Sequence, residues 1–265
     1  LIDTHCHLTD PRLAPQLEAV LFRAGVAGVT RVITISTDVD DARACLSACR
    51  GRPNVRCAVG VHPTYVAEVE FEALQALREI QADPAVVAIG EIGLDYHYGT
   101  EHRDRQHRFL NEQLALAAEV GRPVVIHCRE AIDDCLAVLR DFPAVRAVFH
   151  CFTGTAAEAT RVLDAGYLIG FTGVVTFKNC GELRDVVAAV PADRFLVETD
   201  APYLSPVPVR NQKVCEPAFT MHVAAKVAEV RGTSVAEVDA VTTRNAAALF
   251  GWPPLVPPPG TPAEG

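Results

Sequence analysis

Three pairs of polar residues in this chain stand two positions apart: His5 and His7 in LIDTHCHL, His127 and Arg129 in PVVIHCR, and Glu198 and Asp200 in VETDAPY. On a β-strand, residues i and i+2 project to the same face. Each pair therefore offers two polar groups to one side, and the residue between, such as Cys6 or Cys128, turns to the other. His62, Glu91 and His150 fall at the ends of further apolar runs, and Asp95 follows Glu91 by four residues. Imidazole and carboxylate together suit Zn, Mn, Fe, Co and Ni, with Mg accepted where oxygen dominates. A single histidine at a strand end is more often a hydrogen-bonded structural residue than a ligand. His5, His7, Glu91, His127, His150 and Asp200, however, come from five separate strand ends, and that convergence points to a metal centre. Cys6, Cys128 and Cys151 each neighbour one of these residues, and strand alternation assigns them to packing.

The elements that must position these groups are legible as eight β-branched runs: Leu1–Leu8, Val29–Thr37, Val55–His62, Val86–Asp95, Pro123–Arg129, Arg146–Phe152, Tyr167–Val175 and Phe195–Tyr203. Between them lie segments with apolar residues at helical spacing, such as Phe109–Val120 and Ala131–Arg140. This alternation implies parallel strands with crossover helices. Eight such units predict an α/β fold, a (β/α)8 TIM-type barrel, with a doubly wound open sheet as the alternative. Two closing helices are expected at Ala218–Val230 and Ser234–Phe250, the second with Ser234 and Glu237 as a capping box. In such a barrel the chemistry collects at the C-terminal ends of the strands, which is where the polar residues fall.

The chain's 265 residues, 49% of them apolar, suit one large barrel domain over 1–252, followed by a Pro-rich tail over 253–265. No stretch reads as a membrane span, and the start lacks the pattern of a signal peptide. Nine scattered cysteines without a CxxC pair suggest reduced thiols in a cytoplasmic protein. A net charge of −9 argues against a broad basic surface for duplex nucleic acid. It leaves a nucleic-acid substrate open, because bound divalent ions invert the local field of an acidic cleft. The chain is expected to act as a monomer.

Taken in order, DTHCHL, GVHP at 60–63, GEIGLDY at 90–96, PVVIHCR at 123–129, HCFTG at 150–154, ETDAPYL at 198–204 and TRNAAALFG at 243–251 resemble the TatD family of metal-dependent deoxyribonucleases. The resemblance implies two divalent cations. His5, His7, Glu91 and Asp200 would hold the first; His127 and His150 would hold the second, with Glu91 bridging. Mg or Mn would serve activity, and Zn or Ni could occupy the site as bound. Asp200 would also act as general base, the narrower alternative being a ligand alone. Arg129 and His62 would contact the substrate phosphate, Glu198 would orient a ligand histidine, and Tyr96 and Tyr203 are candidates to stack on a base.

The implied function is hydrolysis of DNA, at single strands or ends, since a barrel mouth admits a terminus more readily than a duplex. The alternative is hydrolysis of an amide, imide or aminoacyl-ester bond on the same metal site. A non-enzymatic metal scaffold is disfavoured by the complete ligand set. One departure stands out: Val214 and Cys215 occupy positions where the family commonly has Arg-Asn before Glu216-Pro217. This removes a basic contact beside the site.

Overall fold

The computed structural model describes residues 1–99 and 101–252; the Pro-rich stretch expected as a tail lies outside them. Eight strands form one parallel sheet in sequential order: β1 (Ile2–Cys6), β2 (Arg31–Ile35), β3 (Val55–Val59), β4 (Val86–Asp95), β5 (Val124–Arg129), β6 (Ala147–Phe149), β7 (Leu168–Phe171) and β8 (Phe195–Val197). The helices that return the chain are α1 (Leu17–Val26), α2 (Val39–Cys49), α3 (Leu74–Ile80), α4 (Arg103–Val120), α5 (Ile132–Leu139), α6 (Ala156–Asp164) and α7 (Gly181–Ala189). They are followed by α8 (Thr220–Arg231) and α9 (Val235–Phe250). This is the expected TIM-type barrel.

Side chains alternate between two apolar layers, as strands covered on both faces require. Ile33, Ile35, Val125, Val148 and Leu196 point into the barrel, where Leu249, Phe250 and Trp252 plug one end. Val32, Ile89, Ile126 and Phe149 face the helices. The plug sits at the strands' N-terminal end: Asn245 Nδ2 donates to Phe195 O at 2.9 Å, and Arg31 stacks on Trp252. The opposite end is left for polar groups. The Ser234–Glu237 capping box that starts α9 is present in both directions.

The barrel closes through the segment that follows β8. His7 N donates to Ala201 O at 2.7 Å and Asp200 N to His5 O at 2.9 Å, and Cys6 and Ala201 form an isolated parallel bridge. Side chains reinforce the seam. Asp3 accepts from Thr199 N at 2.9 Å and from Thr199 Oγ1 at 2.6 Å; Thr4 Oγ1 donates to Glu198 Oε2 at 3.1 Å.

The strands end earlier than the apolar runs suggest. β3 stops at Val59, not His62; β6 stops at Phe149 and β8 at Val197. The backbone leaves the ladder there, and Cys151 and Asp200 take left-handed conformations, with φ of 46° and 60°. The i, i+2 alternation therefore holds for His5 and His7 but does not extend to Glu198 and Asp200, or to Cys151. α4 begins at Arg103, six residues before the expected Phe109, because its first turns are polar. One of those polar residues, Gln106, is buried and braces β4 by exchanging hydrogen bonds with Asp95 N and O at 2.9 Å each.

Candidate metal centre

Glu91 is the hub of the site. It lies in β4, whose ten residues are all buried, and its carboxylate is 2% exposed. Oε1 is 2.9 Å from His127 Nδ1, 2.9 Å from His150 Nε2 and 3.5 Å from His62 Nε2. Oε2 is 3.3 Å from His5 Nε2. Asp200 Oδ1 lies 3.5 Å from His7 Nε2 and 3.7 Å from His5 Nε2. The six residues expected as ligands thus surround one pit at the C-terminal end of the strands, and His62 joins them.

Glycine makes this packing feasible. Gly93 has φ of 147°, and a Cβ there would fall 1.8 Å from His127 O. Its bareness lets β4 and β5 run side by side just above Glu91. At Gly170 a Cβ would fall 2.5 Å from Glu198 Oε1, so the missing side chain is the space that Glu198 fills.

The ring nitrogens can be assigned from their fixed partners, since the hydrogen bond at one nitrogen sets the role of the other. His7 Nδ1 faces Ile35 O at 3.0 Å and must donate, which leaves Nε2 with its lone pair toward Asp200. His127 Nε2 is 2.8 Å from Asp95 Oδ2, which leaves Nδ1 toward Glu91. His62 has the opposite arrangement. Its Nδ1 accepts from Thr64 N at 3.2 Å, so the neutral ring carries its proton on Nε2 and faces Glu91 as a donor. His5 is wholly buried, and neither of its ring nitrogens has a hydrogen-bond partner among the described residues. A buried imidazole without partners is costly, and a cation between His5, His7 and Asp200 would give one of the two nitrogens a partner. These three residues form one cluster with metal-ligand spacing; His62, Glu91 and His127 form another, and His5, His150 and Glu198 a third.

Among known proteins, the family model of TatD-related DNases matches residues 2–251. The chain belongs to the TatD-related DNase family. It is 36% identical over 252 residues to YabD of Bacillus subtilis, described as an uncharacterized metal-dependent hydrolase, with 94% of this chain and 98% of that protein covered. It is 39% identical over 258 residues to the 3′-5′ ssDNA/RNA exonuclease TatD of Erwinia amylovora, covering 95% and 100%. The crystal structure of YjjV, a TatD homolog from Escherichia coli K12, superposes with a TM-score of 0.90 at 32% identity, over 96% of this chain and 98% of that one. Membership in the TatD-related family carries the expected class of chemistry, metal-dependent hydrolysis of phosphodiester bonds.

Electrostatics in this TatD-related site follow from burying so many charges together. Burial alone would raise the Glu91 carboxyl; His150, His62, His5 and the hydrogen bond from His127 reverse that and hold it well below the usual range. For His127, burial is outweighed by hydrogen bonds to Asp95 and Glu91, and its pKa is pushed up to about 9. Asp200 is likewise lowered against burial by His7, His150 and His5. On Asp3, burial wins and carries the carboxyl up to about 8 against its bonds from Thr199 and His5.

Other expected residues fall into place around the pit. Glu198 Oε1 lies 3.3 Å from His150 Nδ1, off the line of a good hydrogen bond, and accepts from Cys151 N at 2.7 Å. Arg129 is exposed, reaches Tyr98 Oη at 3.4 Å, and makes no ion pair among the described residues. Its neighbour Glu130 pairs with His97 at 2.7 Å. The Tyr96 hydroxyl is 2.7 Å from both Asp134 Oδ2 and His107 Nε2, and Arg103 lies over its ring. Cys6 points away from the pit, donating to Ile33 O. Cys151 does not follow the alternation, because it lies beyond β6; its Sγ is 3.3 Å from Thr172 Oγ1, beside His150. In the altered loop, Glu216 is forked by Arg23 of α1 at 2.7 and 2.8 Å, and Cys215 is buried. Asp95 as the anchor of His127, and Asp3 as the clasp of Thr199, had escaped notice in the sequence. The one available signal was that both are acids inside otherwise apolar runs.

Proposed function

We propose that the protein is a two-ion exonuclease that removes nucleotides from single-stranded DNA or frayed DNA ends. The observation that carries this reading is the shared carboxylate of Glu91, with one oxygen facing His127 and His150 and the other facing His5. A carboxylate can span two cations; an imidazole cannot. His5, His7, Glu91 and Asp200 would hold the first ion, and Glu91, His127 and His150 the second. When bound, divalent cations at these positions supply Lewis acidity, lowering the pKa of water and sharing the charge that develops on phosphoryl oxygens.

The side chains do the rest. Ile35 O and Asp95 fix the His7 and His127 rings, so that their other nitrogens, with a cation in place of the ring proton, would turn lone pairs into the pit. Asp200 orients the attacking water and takes its proton; its depressed pKa keeps it ionised. His62 and Arg129, whose guanidinium makes no ion pair among the described residues, meet the phosphate. The 3′-to-5′ direction is adopted from the Erwinia amylovora relative. The amide-bond alternative draws on barrels with a carboxylated lysine bridge, and the chain's three lysines, Lys178, Lys213 and Lys226, lie on none of the strands. Mg or Mn serves activity in this reading; Zn and Ni bind nitrogen-rich sites more tightly without being the working ions. Nine free cysteines support a reducing, cytoplasmic setting, and no described helix is long and apolar enough to cross a membrane. We take the active form to be a monomer.

The test is metal-stripped protein, re-supplied with Mg, Mn, Zn or Ni, on single-stranded DNA, abasic duplex and RNA in parallel. Degradation of single strands with two ions per chain is expected. No more than one bound ion under saturating supply would overturn the two-ion model, and hydrolysis of amide or aminoacyl-ester substrates in place of DNA would overturn the nuclease.

A further inference from the structure

Two partly open phenol rings stand at the mouth of the barrel, one beside each side of the ligand set. Tyr203 follows Asp200 by three residues, and its ring centroid is 6.3 Å from that of His7. Tyr65 ends the short turn that begins after His62, and its ring centroid is 6.3 Å from that of His62. They remain 48% and 37% exposed.

Arg12 distinguishes this pair from ordinary surface tyrosines. Its guanidinium sits 4.4 Å over the centre of the Tyr203 ring. It is forked by Asp10, with Nε–Oδ1 and Nη2–Oδ2 both 2.8 Å. The charge of Arg12 is thereby matched by Asp10, and what it contributes is a rigid backing plane for the ring. A ring held from behind loses little freedom when something stacks on it.

We propose that Tyr65 and Tyr203, with Arg12 backing Tyr203, form a stacking slot for the terminal unpaired nucleobase of the strand whose phosphate lies at the metal centre. This rests on the nuclease reading above. The slot accounts for how a chain of net charge −9 retains a polyanion. Base–aromatic stacking contributes without any basic surface, and every base has a face to offer. It also makes pairing a barrier, because a base inside a duplex is already stacked and cannot enter without being pulled out.

The experiment compares wild type with Tyr65→Ala, Tyr203→Ala and Tyr203→Phe. One substrate is a single-stranded oligonucleotide with an ordinary 3′ terminus; the other ends in an abasic nucleotide. A third probe carries 3′-terminal 2-aminopurine on a non-hydrolysable methylenephosphonate linkage, and its fluorescence falls when the base stacks. Both Ala variants should raise KM on the ordinary oligonucleotide by about 5- to 150-fold, the span that stacking of one base implies. They should leave KM on the abasic oligonucleotide unchanged and abolish the 2-aminopurine quench. Tyr203→Phe, which keeps the ring, should match wild type in all three. Equal effects on both oligonucleotides, an unchanged quench in the Ala variants, or a Phe variant as impaired as Ala would each overturn the slot. If wild type degrades neither oligonucleotide, the nuclease reading itself fails and the slot fails with it. If it degrades both and the Ala variants match it, only the slot fails.

Discussion

Asp95 holds His127 by Nε2 at 2.8 Å while Glu91 faces the same ring's Nδ1 at 2.9 Å. The imidazole is thus gripped between two carboxylates, and its orientation is set by a residue that does not reach the pit. Asp95→Asn keeps the shape and the contact with His97 N but weakens the acceptor. We expect affinity for the second ion to fall about 10- to 100-fold, with the first ion little changed. His127→Ala and His150→Ala should remove the second ion outright and leave the first partly occupied. Metal analysis across a titration of each variant checks this; loss of both ions together in Asp95→Asn would contradict it.

Asp200→Asn separates proton transfer from folding. The replacement is close to isosteric, and Asn tolerates the left-handed backbone that Asp200 adopts at φ 60°. Turnover should fall by ~10²–10⁴, the usual cost of losing a general base, with the melting temperature of the metal-loaded protein nearly kept. A variant that binds its ions and turns over near the wild-type rate would leave Asp200 as a ligand only.

The buried carboxyl of Asp3 makes stability depend on pH in metal-stripped protein. Its folded pKa, about 8, lies above the ordinary 3.8, so the folded state holds a proton that the unfolded chain has released. The contribution is complete below about 3.8 and is lost as pH rises through about 8. Asp3→Asn cannot titrate and can still accept from Thr199 N. The melting temperature of wild type should therefore drop relative to Asp3→Asn as pH is raised from acid to pH 8. Parallel melting curves across that range would show that Asp3 is ionised throughout.

Salt dependence tests how the strand is held. Arg210 lies 4.2 Å over the Phe177 ring, Arg23 forks Glu216, Arg12 is matched by Asp10, and Arg129 makes no ion pair among the described residues. Few phosphates are neutralised, so the log–log slope of single-strand affinity against salt should have a magnitude of about 2 or less. Single strands should bind more tightly than blunt duplex. Titration of metal-loaded Asp200→Asn with both forms across salt measures this. A steep slope with tighter duplex binding would reveal a basic surface on the protein.

Much of the site was legible because the barrel forces it. His5 lies in β1 and His7 one residue past its end, and alternation still delivers both to the pit. Glu91 and His127 are polar residues inside long apolar runs, and such residues must be there for a purpose. Strand alternation failed where the backbone stops being regular. Asp200, Glu198 and Cys151 lie beyond the ends of β8 and β6, two of them at positive φ, and period-two reasoning has nothing to say about such residues. Tyr96 looked like a rim aromatic, but the polar start of α4 and Asp134 of α5 capture its hydroxyl. Which aromatic stays open depends on neighbours far away in sequence: Tyr65 reaches His62 by local geometry, whereas Tyr203 meets Arg12 across the whole chain.

The seam between β1 and the segment after β8 does two jobs at once. Asp200 N to His5 O and His7 N to Ala201 O are the bonds that complete the ring of strands, and His5, His7 and Asp200 are also one of the ligand clusters. The barrel cannot part here without scattering those ligands, and it cannot bind an ion there while parted. By mass action the ion favours the shut form. The metal-free protein should therefore breathe at this edge before any other, and amide hydrogens of residues 5–7 and 199–201 should exchange fastest when the pit is empty. In that sense an ion at this position acts as a rivet in the wall of the barrel as well as a reagent inside it.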